Sequence, residues 1–322
     1  MSLEDRAATV VMGTAPGAEP DALADYIASG PRGLILMGAN VPPDEAGLRA
    51  VTDAVGAAAD PAPLIGIDQE GGDVSRLPWD DLPSARDLKG ADASAIEDAF
   101  ASRGELLAAA GVTVNFGVVA DVPRSDGSFI FSRAFGTDPR AVGDAVAAAV
   151  RGEGDRVHTT LKHFPGHGAA EGDSHHAIPE TDISYDAWRE ADAVPFEAGI
   201  DAGAELVMTG HLRFTAVDDA PASLSPEWYR ILREDLGFSG VAVTDDLGML
   251  LSSGDPAYGD TAANGVAALR AGADLLLVVA GSDAGTAPAV IDAIAAAVEA
   301  GELPQARLDE AAARVIALGL DD

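Results

Sequence analysis

The chain has no cysteine at all. That single count excludes a disulfide framework, thiolate zinc, iron–sulfur clusters and a cysteine nucleophile. Lysine is nearly missing as well, with Lys89 and Lys162 the only two, so the basic residues are almost all arginine. Long apolar runs are absent: the longest strongly hydrophobic stretch is Leu275 to Ala280, far below the roughly 20 residues a membrane helix needs. Positive charge is scarce, 20 basic against 53 acidic residues giving a net charge of −33. Such a field repels phosphate backbones, so nucleic acid and anionic membranes are poor partners. A solvated acidic surface of the kind halophiles use explains the excess, and a high-GC proteome rich in alanine and aspartate is the rival account. The opening MSLEDRAATV shows no basic segment followed by a long apolar core, which leads us to expect a cytoplasmic protein; separately, a monomer is expected rather than an oligomer.

What the chain does contain is enough to fold: 322 residues, 48% hydrophobic, with 36 Gly and 19 Pro. Short β-rich runs recur every few tens of residues between alanine-rich segments of helical spacing. There are eight, at Thr9–Met12, Gly33–Met37, Leu64–Ile67, Thr113–Val119, Thr159–Lys162, Leu206–Thr209, Val241–Thr244 and Leu275–Val279. Candidate helices lie between or after them, among them Asp21–Ala28, Asp92–Ala110, Pro139–Val150, Tyr185–Ala202, Pro226–Leu236 and Ala287–Val298, and Arg307–Leu318 closes the series. Eight alternations without a linker predict one α/β domain over residues 1–322, a (β/α)8 TIM-type barrel; an open doubly wound sheet is the alternative.

A barrel carries its chemistry on the loops after its strands. The unusual residues fall there: Asp68-Gln-Glu-Gly-Gly after the third run, His163-Phe-Pro-Gly-His-Gly after the fifth, Gly210-His211 after the sixth and Asp245-Asp246 after the seventh. Five of the six histidines lie between His158 and His176. On an extended segment Asp173 and His175 point to one side, so the carboxylate holds the imidazole in one tautomer and supports its protonated form. That pairing is an acid/base dyad; the plainer alternative is a turn aspartate beside a solvated histidine.

Lys162-His163-Phe164-Pro165-Gly166-His167-Gly168 and Asp173-Ser174-His175, taken with Asp68–Gly72 and Val243-Thr244-Asp245, resemble glycoside hydrolase family 3 over nearly the whole chain. The likeness is to its single-domain β-N-acetylglucosaminidase branch. The resemblance implies Asp245 as nucleophile, His175 as acid/base with Asp173 as its orienter, and Lys162 and His163 on the hydroxyls of the non-reducing sugar. It further implies Asp68, Arg76 and Arg133 as sugar-binding residues, His211 near the reacting sugar, and Glu70 in support. Asp246 reads as a helix N-cap, His167 as a loop-shaping residue, and His158 and His176 as strand entry and loop surface.

Two departures stand out. Asp73 occupies a usually basic position, and we expect a barrel without the C-terminal sandwich domain of many family 3 β-glucosidases. The expected substrate is a small N-acetylglucosamine-containing oligosaccharide or muropeptide from cell wall or chitin, cleaved with retention and without cofactor or metal. A β-N-acetylglucosaminide phosphorylase or a β-glucosidase of the same fold is the alternative activity. More remote readings are a metal hydrolase using the histidines and a sugar-binding protein without catalysis.

Overall fold

The computed structural model describes residues 1–174 and 176–319. Eight strands run parallel: β1 (Val11–Gly13), β2 (Gly33–Leu36), β3 (Leu64–Ile67), β4 (Val114–Val119), β5 (His158–Phe164), β6 (Leu206–Thr209), β7 (Val241–Thr244) and β8 (Leu276–Val278). Their ladders follow chain order, and β1 pairs with β8 at the other edge. The ring closes between β7 and β8 through a parallel bridge from Val243 to Leu275, where the Thr244 N–H donates to the Leu275 carbonyl at 3.0 Å. This is a TIM-type barrel, as the eight alternations predict. Parallel strands need crossover connections, so every C-terminal strand end reaches the same rim.

Alternation along the strands divides the core in two. Met12, Ile35, Val114, Phe116, Met208, Val241, Val243 and Leu277 fill the lumen, and Val315 and Leu318 of the last helix, Gln305–Leu318, pack against them. Gly66 makes this filling possible, because a Cβ there would stand 2.6 Å from the Phe116 ring. The intervening residues, such as Leu161, Val207 and Ala242, face outward into the larger core beneath the helices. There Phe164 takes edge contacts from Trp188, Phe196 and Trp228, so the strand that carries Lys162 and His163 is pinned from behind.

Of the boundaries that differ from the sequence expectation, three have a clear local cause or bear on the site. Thr9 belongs to the helix Leu3–Thr9, which Ser2 and Asp5 start with a reciprocal capping box, so the first strand begins at Val11. Tyr185–Ala202 is two helices, Tyr185–Glu190 and Ala193–Asp201. Pro195 is the cause: lacking an N–H, it is tolerated only in the first turn, so the helix must restart just before it. The fifth strand runs on to Phe164, which places Lys162 and His163 inside it rather than at its end. No helix among the described residues is long and apolar enough to cross a membrane.

Candidate active site

At the C-terminal rim lies a cavity of about 360 Å³. Its lining includes Asp68, Arg76, Arg133, Lys162, His163 and Asp245, six residues from four separate stretches of sequence that the fold brings together. Lys162 and His163 are consecutive, and on a regular strand they would face opposite ways. Both reach the cavity because the ladder from β5 to β6 shifts register between Leu161 and Phe164.

The charges form one network. Lys162 Nζ donates to Asp68 at 2.8 Å and contacts Glu70 at 2.7 Å, using two of its three hydrogens. Arg133 grips Glu70 through Nε at 2.9 Å and Nη2 at 2.6 Å. Burial alone would raise the Glu70 carboxyl, but Lys162 and Arg133 outweigh it and hold its pKa at about 2. Burial opposes the Lys162 charge too, yet Asp68 and Glu70 raise its pKa and keep it an ammonium. Glu70 thus holds the two cations in place, the supporting position read from the sequence.

His163 is nearly fully buried, and its Nδ1 lies 2.7 Å from Asp121 Oδ2. Burial first, then the positive charge of Arg133, push its pKa well below the ordinary histidine value. The ring is therefore neutral, with Nδ1–H donating to Asp121 and Nε2 turned to Arg133 Nη2 at 3.3 Å. Asp121 also accepts the peptide N–H groups of His163 at 3.2 Å and His167 at 2.6 Å, so one buried carboxylate sets the whole exit of β5. The sequence reading missed Asp121, although a carboxylate just past Val119 satisfies the same strand-end rule that picked out Asp68 and Asp245.

Asp245 follows β7, partly open to the cavity, and its Oδ1 accepts the Asp246 N–H at 2.8 Å. Burial would raise its pKa; the imidazoles of His163 and His211, the Asp246 N–H and the Lys162 ammonium more than offset this, leaving it below the ordinary aspartate value. Asp245 is thus ionised at neutral pH, the state an attacking carboxylate needs. Asp246 caps the helix Leu247–Ser252 by accepting from Gly248, and also holds the Val279 N–H at 2.8 Å and the Ala280 N–H at 2.7 Å, which binds β7 to the loop after β8.

His211 needs a correction. Its Nδ1 lies 2.7 Å from Ser223 Oγ and its Nε2 2.8 Å from the Asp246 carbonyl, so both nitrogens are committed, and it is not among the cavity-lining residues. It holds the Asp246 carbonyl and bears electrostatically on Asp245 from outside the cavity lining. The backbone at Asp173 also differs from the extended segment expected there. Asp173 heads a turn, its carbonyl accepting from the N–H groups of His176 at 3.1 Å and Ala177 at 3.3 Å, so the strand-alternation argument for a shared side does not apply. His175 lies outside the described residues.

His167 does more than shape the loop: it is buried, lines the cavity and bonds Ser174 Oγ through Nε2 at 3.0 Å. Asp73 is exposed. Of the histidines that cluster in sequence, His163 and His167 stay together with ring centroids 5.7 Å apart, while His158 lies at the strand entry beside Glu205 and His176 on the surface with a side chain 83% exposed. Among the described residues no three His, Asp or Glu side chains are grouped to hold a metal ion.

Beneath the site Gln69 organises the loop after β3. Its Oε1 accepts from the Arg76 N–H at 2.7 Å and the Leu77 N–H at 3.0 Å, and its Nε2 donates to Ser75 and to Asp80, which is itself locked to the fully buried Arg103. Comparison with known proteins settles what this arrangement belongs to. The model of the glycosyl hydrolase family 3 N terminal domain matches residues 13–318. The chain belongs to glycoside hydrolase family 3.

Within that family it is 40% identical, over 242 residues and 71% of each chain, to the beta-hexosaminidase of Stenotrophomonas maltophilia strain K279a. The solved beta-N-acetylhexosaminidase of Beutenbergia cavernae DSM 12333 matches 99% of this chain and 98% of its own, with a TM-score of 0.89 at 32% identity. The family 3 beta-N-acetylglucosaminidase of Paenibacillus sp. str. FPU-7 matches 99% of this chain with a TM-score of 0.91 at 32% identity, and the chain spans 62% of that longer protein. Family 3 membership makes this barrel a glycoside hydrolase domain, and the cavity at its C-terminal rim its candidate active site.

Proposed function

We propose that the protein is a retaining exo-β-N-acetylglucosaminidase that releases terminal N-acetylglucosamine from small cell-wall or chitin-derived fragments. The observation that carries this reading is an ionised Asp245 facing the same cavity as the Lys162, Asp68, Arg133 and His163 cluster. The names borne by the relatives above support the choice of sugar. Lys162, Arg133 and Asp68 hold the terminal sugar by its hydroxyls, with Arg76 at the same wall, and neutral His163 adds a fixed contact.

In the first step the Asp245 oxygen bonds to the anomeric carbon while the bond to the leaving oxygen breaks, and His175 gives that oxygen a proton. In the second, water attacks the anomeric carbon, its proton passes to His175, and the bond to Asp245 breaks. Asp173 orients the imidazole and stabilises its charge. The reading is tested with aryl N-acetyl-β-glucosaminide beside the aryl β-glucoside in phosphate buffer. Rapid release of free N-acetylglucosamine with little turnover of the glucoside supports it. A preference for the glucoside would make the protein a β-glucosidase, and sugar 1-phosphate as product would make it a phosphorylase.

A further inference from the structure

Three large apolar side chains are exposed among the described residues, Met1, Phe129 and Leu251, and of these Phe129 lines the cavity that holds Asp245. The residue is 39% exposed, which leaves aromatic surface in water at a binding site. The segment that presents it is firmly held. Ile130 is fully buried, the Phe131 N–H donates to the Ser128 carbonyl at 3.0 Å, and Arg133 is anchored on Glu70. Lys89, the second of the two lysines, donates to the Phe131 carbonyl at 3.2 Å and sits 3.6 Å above the Phe131 ring. A rigid backbone therefore offers a partly open aromatic ring to the cavity.

Its place within the cavity is informative. The Phe129 ring centroid is 5.5 Å from that of His167, and His167 bonds Ser174, the residue after Asp173. Phe129 thus stands on the side of the loop that, in the reading above, delivers a proton to the leaving oxygen. Whatever is attached to that oxygen departs past this ring. The face of an aromatic ring is electron-rich and attracts the weakly positive C–H groups on the flat side of a pyranose.

We propose that Phe129 is the specificity-determining platform for the leaving group, and that the leaving group is itself a pyranose sugar. This rests on the assignment of the Asp173–His175 loop to leaving-group protonation. Rate constants are compared for the wild-type chain, Phe129→Ala and Phe129→Trp on N,N′-diacetylchitobiose and on N-acetyl-β-glucosaminyl fluoride, whose leaving group has no ring. The ratio of kcat/KM for disaccharide over fluoride is expected to fall about tenfold in Phe129→Ala and to be restored in Phe129→Trp. An unchanged ratio, whether because both substrates lose equally or because neither loses, overturns the platform. A wild-type chain that turns over the fluoride but not the disaccharide overturns it too. Failure of the underlying reading shows elsewhere, as a wild-type chain inert toward the fluoride itself.

Discussion

The two ends of this barrel are built from the same ingredients and end differently. At the N-terminal end, fully buried Asp274 takes Arg233, Arg307 and Arg314 onto one carboxylate, Arg314 at 3.0 Å, and its Oδ2 also accepts the Ala242 N–H at 3.0 Å. These contacts tie the last helix to the strand ends, and none of the four side chains lines the cavity. At the C-terminal end Lys162 and Arg133 share Glu70 in a similar way, with Lys162 also on Asp68, but around a cavity of about 360 Å³. The lesson is that a buried ion cluster is not a site by virtue of its charges. It becomes one where the fold leaves room and donors that its own partners do not use up.

The sharpest way to break this contrast is to remove one carboxylate from each end. Asp245→Asn is expected to lower kcat/KM by about four orders of magnitude or more, since no other group can take the place of the attacking oxygen, while the melting temperature changes little. Asp274→Asn is expected to do the reverse. Three guanidiniums are left without their shared counter-ion, a loss of about 3–5 kcal/mol in urea unfolding, and turnover per folded molecule stays near that of the wild type. A stability loss at Asp245 as large as that at Asp274, or an activity loss at Asp274 with normal stability, would erase the distinction.

A smaller effect sits between the two ends. Glu153 is fully buried, its carboxylate accepting from Asn115 at 2.6 Å and Thr159 at 2.9 Å, and Asn115 in turn holds the Gln69 peptide between Asp68 and Glu70. Burial raises the Glu153 pKa from 4.5 to about 7. A pKa raised by folding means stability that is complete below about 4.5 and lost as pH rises through about 7. The wild-type melting temperature is therefore expected to fall more between pH 5 and pH 8 than that of Glu153→Gln. Equal falls in the two proteins would show that Glu153 is not the titrating group.

Much of this was legible in the sequence because parallel strands buried on both faces announce themselves as apolar runs. All eight runs lie on observed strands to within two residues, and the late start of the first has a local reason, the Ser2–Asp5 capping box that draws Thr9 into a helix. The residues at strand ends were legible by the same rule, and Asp68, Lys162, His163 and Asp245 do meet at one cavity. Partner choice was not legible. That His211 spends both nitrogens on Ser223 and Asp246, or that Lys89 braces Phe131, depends on contacts between segments tens of residues apart. The turn at Asp173 was hidden for another reason, since its hydrogen bonds are made by the backbone and leave no mark in residue type.

The central claim is that the open cluster serves an attack by Asp245 on a sugar's anomeric carbon. The most direct measurement is inactivation with a 5-fluoro N-acetylglucosaminyl fluoride, which leaves rapidly but hydrolyses slowly once attached, followed by peptide mapping by mass spectrometry. The account predicts one equivalent of label per chain, on Asp245. Label on Asp246 or Glu70, or inactivation without any covalent adduct, would contradict it.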